Sequence, residues 1–362
     1  MTALCLKTVV IALAVAPPAF APCLARCVPA FSRFKRPRRA TPLRLAVTRD
    51  EGTADETGNT GRTTTGGIVW SGSSYSSKPD EGALRRRLQS RSGVRTVELS
   101  GCGSVRMRQR PDWLDPGSGG SGSSRGSGTG VALWTASLAV ADYVDSTFFP
   151  SLGDGRTCLE LGAGLGLPSI VAARCGMSVV ATESDPEALS LLEENLRSNL
   201  GGPAAGGGDG DWKAHSLDWS NVAGDPDAER NHPAFVALER LGGADLVLLS
   251  DLVFGATRPA WGALLSLLNR IREQRRGLVL EAGGGCTAGR GITRADGTRA
   301  PDTDPLVILG YTQRRRDMSA EDEGRFFAMV RAAGMEACPI PFDQVPKGEE
   351  RLLTTLFELR WM

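Results

Sequence analysis

An α/β fold organised on a parallel sheet is the class that this 362-residue sequence predicts, and three observations carry the prediction. A short apolar strand in Cys158-Leu-Glu-Leu-Gly-Ala-Gly-Leu-Gly-Leu-Pro168 runs into three glycines spaced two apart and then into a helix. A second apolar strand, Val179-Val-Ala-Thr182, ends at the acid Glu183, so two strands and the helix between them make one βαβ unit. Beyond it, apolar strands keep alternating with amphipathic helices, the pattern of a parallel sheet covered by helices on both faces.

The elements follow in chain order. Residues 48–92 are rich in Gly, Ser, Thr and charge with few large apolar groups, which predicts a disordered linker. Within 93–128, Val94-Arg-Thr-Val-Glu-Leu99 and Ser104-Val-Arg-Met-Arg108 read as a hairpin joined through Gly101-Cys-Gly103, followed by a Gly/Ser run from Pro116 to Gly128. The main domain is placed at 129–362, opening on Thr129-Gly130-Val-Ala-Leu-Trp134. After Glu183, Asp185-Pro186 starts a helix with Ala188, Leu189, Leu191, Leu192 and Leu196 on one face. A glycine-rich loop at 201–210 leads to a third strand in Trp212-Lys-Ala-His-Ser-Leu-Asp-Trp219, and Asp245-Leu-Val-Leu-Leu-Ser-Asp251 is a fourth. Trp261-Gly-Ala-Leu-Leu-Ser-Leu-Leu268 reads as a helix and Gly277-Leu-Val-Leu-Glu281 as a fifth strand, followed by a polar insertion at about 283–305. A helix over 321–333 and a closing strand over 354–359 complete the set.

The glycine turn is the chemical centre. A Cβ at Gly162, Gly164 or Gly166 would restrict φ and keep a ligand off the main chain, while the helix that follows offers free N–H groups. A dinucleotide fingerprint would need its third small residue at Leu167, where leucine blocks close helix approach, so NAD is disfavoured. An acid 21 residues past Gly162, here Glu183, suits the hydroxyls of a cofactor ribose.

Glu160-x-Gly162-x-Gly164-x-Gly166 resembles motif I of the S-adenosylmethionine-dependent methyltransferases. With T-G-x-x-x-W at 129–134, the L-D-W triplet at Leu217-Asp218-Trp219, the acid-x-x-aromatic motif at Asp251-Leu-Val-Phe254 and the late Tyr311-Thr-Gln-Arg-Arg315 and Phe326-Phe327, the chain from Gly130 to about Pro341 resembles the seven-β-strand, non-histone protein lysine methyltransferases. That resemblance implies a Rossmann-like seven-stranded, mostly parallel sheet with one antiparallel strand, S-adenosyl-L-methionine as cofactor and a protein as substrate. It implies that Trp134 closes over the cofactor and that Glu160 sits near its methionine end. Gly162, Ala163 and Gly164 would contact the amino-acid part, Glu183 the ribose, Trp219 and Asp218 the adenine, and Ser250 the floor. Asp251 would orient the incoming amine, Phe254 would wall its channel, and the insertion at about 283–305 would lie near the acceptor side of the site.

Phenylalanine keeps a ring face that attracts a cation but has no hydroxyl for the amine. Arginine or another amine is therefore the alternative acceptor, and a cofactor-binding protein without catalysis is the alternative from another class. The structural reading of Trp134 and Trp219 is plain core packing, that of Asp251 a helix cap, and that of Arg314, Arg315 and Arg316 a solvated charge run.

Charge is asymmetric. Residues 1–49 hold nine Lys/Arg and no acid, so the remainder carries 41 acids against 33 bases, net −8. Such a catalytic part is unsuited to a polyphosphate surface, so no nucleic-acid partner is expected, and it suits a basic segment of a protein. Residues 1–47 read as a bipartite presequence: Lys7 and the apolar Thr8–Ala16 run are signal-like and too short to span a bilayer, and the arginine-rich segment after Ala19-Phe-Ala-Pro22 is transit-like. They resemble the presequences of algae with secondary plastids and imply plastid import, with secretion or mitochondrial import as alternatives and no stable membrane association. Cys102, Cys158, Cys175, Cys286 and Cys338 lie outside the leader, an odd and scattered set that implies no disulfide framework. Two histidines and no C-x-x-C pair leave no metal site expected.

Overall fold

The computed structural model describes residues 93–110, 129–149, 155–202, 211–222, 225–281, 292–293, 297–298, 300–313, 318–341 and 354–362. The presequence and linker expected at 1–92, the Gly/Ser run, most of the 201–210 loop and the Arg314–Arg316 run lie outside the described residues.

An antiparallel hairpin comes first: β1 (Val94–Leu99) pairs β2 (Gly103–Arg108), with Val97 opposite Val105. Alternate residues Val97, Leu99, Val105 and Met107 are buried, the period of two that a half-buried strand requires. Then follow α1 (Thr135–Phe148), β3 (Thr157–Leu161), α2 (Leu167–Arg174), β4 (Ser178–Glu183) and α3 (Pro186–Leu200). The second half holds β5 (Trp212–Ser216), α4 (Trp219–Val222), α5 (Pro226–Arg230), α6 (Pro233–Arg240), β6 (Leu246–Ser250) and α7 (Trp261–Glu281). It closes with β7 (Leu306–Thr312), α8 (Ala320–Ala332), β8 (Met335–Pro339) and β9 (Thr354–Trp361).

The main sheet has seven strands in the order β5-β4-β3-β6-β7-β9-β8, and β9 runs antiparallel to both neighbours. This is the mostly parallel sheet with helices on both faces and an N-terminal hairpin extension that the sequence implied. Strand alternation builds the two cores. Cys158, Val179, Ala181, Leu246, Leu248 and Ile308 face α1, α2, α3 and the hairpin, whereas Leu159, Val180, Val247, Leu249 and Val307 face α6, α7 and α8. The central strands are buried on both sides, as an all-parallel centre demands.

Two expectations are corrected. Gly277–Glu281 is not a fifth strand but the last turns of α7. Buried Ile271, Arg275 and Val279 recur every four residues, and Leu280 points outward at 76% exposure, so the helical period continues where a strand was expected. The strand beside β6 is β7, in parallel register with Leu246 opposite Leu306. The described part of the insertion consequently lies at the entry end of β6 and β7, where Leu306 N donates to Asp245 O at 2.9 Å. It is away from the strand ends that carry the site, not on the acceptor side.

Candidate functional site

Strand order reverses between β3 and β6, and at that switch point a cleft of about 330 Å³ opens over the C-terminal ends of β3, β4 and β6. Open α/β sheets bind ligands in this position because neighbouring connections leave in opposite directions. The structure brings Trp134, Gly162, Ala163, Gly164, Glu183, Asp218, Trp219, Ser250, Asp251 and Phe254 to its walls.

Positive φ at Gly162 (58°) and Gly164 (53°) shapes the turn. A Cβ on Gly162 would stand 2.6 Å from Leu252 Cδ2 and 3.3 Å from Trp219 Cζ2, and one on Gly164 would stand 3.2 Å from Gly130 O. Each position thus needs glycine both for its dihedral and for the close approach of the opposite wall. Ala163 N is already engaged by Thr182 O at 2.8 Å, which ties the turn to β4.

Glu183 closes β4 and is nearly buried. Its Oε2 accepts Gly164 N at 2.9 Å, and Oε1 accepts Ser184 N at 2.8 Å and Asp185 N at 3.0 Å. The Ser184 hydroxyl also donates to Oε1 at 3.4 Å, so Oε1 is fully engaged, whereas Oε2 accepts only Gly164 N and keeps its second acceptor site for a ligand hydroxyl. Asp185 accepts Glu187 N and Ala188 N and so caps α3 at the same rim. Trp134 is half-buried, and its indole donates to Thr129 O at 2.6 Å, which holds the Thr129–Gly130 segment against the opening. Asp218 is exposed, with Oδ1 accepting Ser220 N at 2.9 Å and Trp219 beginning the turn of α4 beside it.

Glu160 is placed differently from its companions. It is fully buried beneath the cleft, where Oε2 accepts Ser169 N at 2.9 Å and Ser169 Oγ at 2.5 Å, and Oε1 accepts Ser250 Oγ at 3.3 Å. Burial pushes its carboxyl up to about 8, against the lowering effect of the Ser169 and Ser250 hydrogen bonds. It fastens the end of β3 to the start of α2 and to the end of β6, and reaches the cleft only through Ser250.

Asp251 follows β6 with φ 60°, the one non-glycine residue of positive φ among the described residues. Aspartate tolerates this region better than most side chains, yet such a conformation persists only where surroundings fix it. Here Asp251 N donates to Gly310 O at 3.0 Å, and the residue is buried. Three residues on, half-buried Phe254 is pinned by a residue the sequence reading missed. Thr257 Oγ1 accepts Phe254 N at 3.2 Å and Trp261 Nε1 at 3.2 Å and donates to Leu252 O at 2.7 Å. A threonine three positions after the aromatic was the available signal, since such hydroxyls commonly close short turns.

Among the described residues no group of three His, Cys, Asp or Glu side chains is arranged to hold a metal ion, and no helix is long and apolar enough to cross a membrane.

The sequence model of the lysine methyltransferase family matches residues 122–283. Methyltransferase-like protein 22 of Mus musculus is 40% identical over 101 residues, covering 27% of this chain and 25% of its own. The protein N-terminal and lysine N-methyltransferase EFM7 of Yarrowia lipolytica is 31% identical over 141 residues, 36% of this chain and 49% of its own. Its counterpart from Cryptococcus neoformans is 33% identical over 206 residues, 57% of this chain and 59% of its own. The chain therefore spans between a quarter and about three-fifths of the length of these relatives. A solved methyltransferase complexed with SAH superposes with a TM-score of 0.40 at 12% identity, covering 74% of this chain and 56% of that one.

Proposed function

We propose that this chain, whose residues 122–283 match the lysine methyltransferase family, transfers a methyl group from S-adenosyl-L-methionine to a side-chain nitrogen of a protein, with lysine as the acceptor. The observation that carries the reading is one cleft that joins a cofactor-shaped turn, Gly162 to Gly164 against Glu183, to a buried acid in a constrained conformation, Asp251.

The residues present fit the cofactor. Gly162 and Gly164 leave the main chain open to its amino-acid part, Glu183 has an acceptor site for a ribose hydroxyl, and Trp219 beside Gly162 offers a ring face for adenine with exposed Asp218 as acceptor for its amine. Trp134 covers the opening. Bound S-adenosyl-L-methionine supplies a methyl on a sulfonium centre, which an unprotonated amine displaces in line. The protein's task is then orientation and exclusion of water rather than covalent chemistry. Asp251 accepts a hydrogen bond from the incoming nitrogen and fixes its approach, while the Phe254 ring packs on the aliphatic stem of the acceptor and faces the positive charge that the nitrogen gains on transfer. Glu160 and Thr257 act through others, by holding Ser250 and Phe254 in place.

The names of the fungal relatives describe proteins that methylate protein amino groups, which supports an amine acceptor here. Arginine is the second reading because Phe254 presents a plain ring that a planar guanidinium can stack on. The acidic balance of residues 50–362 fits a basic substrate segment.

Asp251→Ala is expected to keep calorimetric binding of S-adenosylhomocysteine and to lose transfer to protein in a cell extract by roughly 10²-fold or more. Undiminished transfer removes the assignment of Asp251. Binding without transfer by the parent chain would make it a cofactor-binding interaction protein. The leader supports import into a plastid, and a fluorescent fusion of residues 1–60 that stays in the cytosol would contradict that.

A further inference from the structure

Two cysteines that look unrelated in sequence, Cys102 and Cys175, are brought together outside the cleft with their sulfurs 3.9 Å apart. Cys102 is half-buried in the turn between β1 and β2, and Cys175 is buried where α2 ends. Both are free thiols.

Their surroundings fix the pair. Gly101 N and Cys102 N donate to the Asp145 carboxylate at 2.7 and 2.6 Å, so the turn is docked on the last turn of α1. From the other side the Arg174 guanidinium donates to Cys102 O at 3.1 Å and Ser104 O at 2.7 Å, and Arg174 is the chain neighbour of Cys175. A disulfide needs about 2.05 Å between sulfurs, and rotation of the two side chains with a small backbone adjustment supplies the difference. The Cys102 thiol is held well above the ordinary thiol range by its hydrogen bond with Cys175, by burial and by Asp145. Reduced Cys102 is therefore a poor nucleophile and reacts slowly.

We propose that Cys102 and Cys175 form a reversible disulfide that staples the N-terminal hairpin to the helix leaving the glycine turn. It stands independently of the methyl-transfer reading. With a small disulfide such as oxidised glutathione as oxidant, the more accessible Cys102 loses its proton and attacks one glutathione sulfur, expelling a glutathione thiolate that takes that proton. Cys175 then loses its proton, attacks the Cys102 sulfur of the mixed disulfide and expels the second glutathione, which takes the proton. The protein is oxidised by two electrons, one glutathione disulfide is reduced, and two glutathione thiols are released.

The staple crosses 73 residues of sequence, a long loop whose closure restricts the unfolded chain strongly. The test takes the full chain, reduced and then equilibrated overnight with oxidised glutathione, followed by tryptic mapping and thermal melting. Expected are a linked pair of peptides, 96–106 with 175–197, and a Tm raised by about 5 °C or more, both reversed by dithiothreitol. Cys102→Ser and, independently, Cys175→Ala should show neither change while melting in the reduced state as cooperatively as the parent. A Cys102–glutathione adduct that never resolves to the internal link, or a link that leaves Tm unchanged or lowered, overturns the proposal.

Discussion

Glu160 is a carboxyl that keeps its proton at neutral pH, because burial outweighs the hydrogen bonds from Ser169 and Ser250 and pushes it up to about 8. In the unfolded chain it titrates near 4.3. The folded value is the higher one, so its contribution to stability is full below about pH 4.3 and is lost progressively as pH rises to about 8. Glutamine matches the shape of the protonated acid: its oxygen can accept from Ser169 and its amide can donate to the rotatable Ser250 hydroxyl. Glu160→Gln should therefore gain stability over the parent, by about 1–3 kcal/mol at pH 8 and close to nothing at pH 4.5, in urea melts across that range. A difference that does not change with pH would contradict it. Gly162→Ala would force a Cβ against Leu252 in a positive-φ turn and should weaken S-adenosylhomocysteine binding by roughly 10-fold or more. The identity of Glu160 and Glu183 was legible in the sequence, but their division of labour was not: only packing puts Glu160 beneath the floor and Glu183 at the wall.

At the scale of elements, α7 shows where periodicity misleads. Its buried face includes Arg275, and a charge on that face breaks the apolar stripe, so Leu278, Val279 and Leu280 read as a separate strand. Tertiary partners account for the charge. Arg275 Nη2 lies 2.7 Å from Asp245 Oδ1 with both side chains almost fully buried, and its other nitrogens donate to Asp302 O and Ala244 O at 2.9 and 3.0 Å. Asp245 in turn accepts Thr157 N at 2.8 Å, so one network joins α7 to the entry ends of β3 and β6. Arg275→Ala would leave Asp245 buried without its cation and is expected to cost about 3–5 kcal/mol by denaturant melting. The double variant with Asp245→Asn should recover part of that loss, and strict additivity would argue against the pair. Strands β3, β4 and β6 were legible because they are short, apolar on both faces and end at marked acids or glycines. Strand β8 was not singled out, since Met335–Pro339 is only partly buried and carries Glu336.

For the whole molecule, the hairpin is part of the frame of the cleft. Asn195, buried on α3, accepts Arg108 N at 2.7 Å and donates to Arg108 O and Leu165 O, both at 3.1 Å, linking β2 to the glycine turn. Arg110 N reaches Val131 O at 2.9 Å, next to Gly130 at the rim. Asn195→Ala should cost about 2–3 kcal/mol and weaken ligand binding along with stability, whereas a change in stability alone would separate the hairpin from the site. The parallel sheet, the glycine turn and the acids at strand ends could be read directly from the order of residues. These are local matters of apolar period, of φ at glycine and of which residue types end a strand. Long-range packing is what turns Glu160 inward, carries α7 through to Glu281, pins Phe254 with Thr257 and sets Cys102 against Cys175. Each depends on groups far apart in sequence being buried together, where a charge, a hydroxyl or a thiol takes its character from its partners.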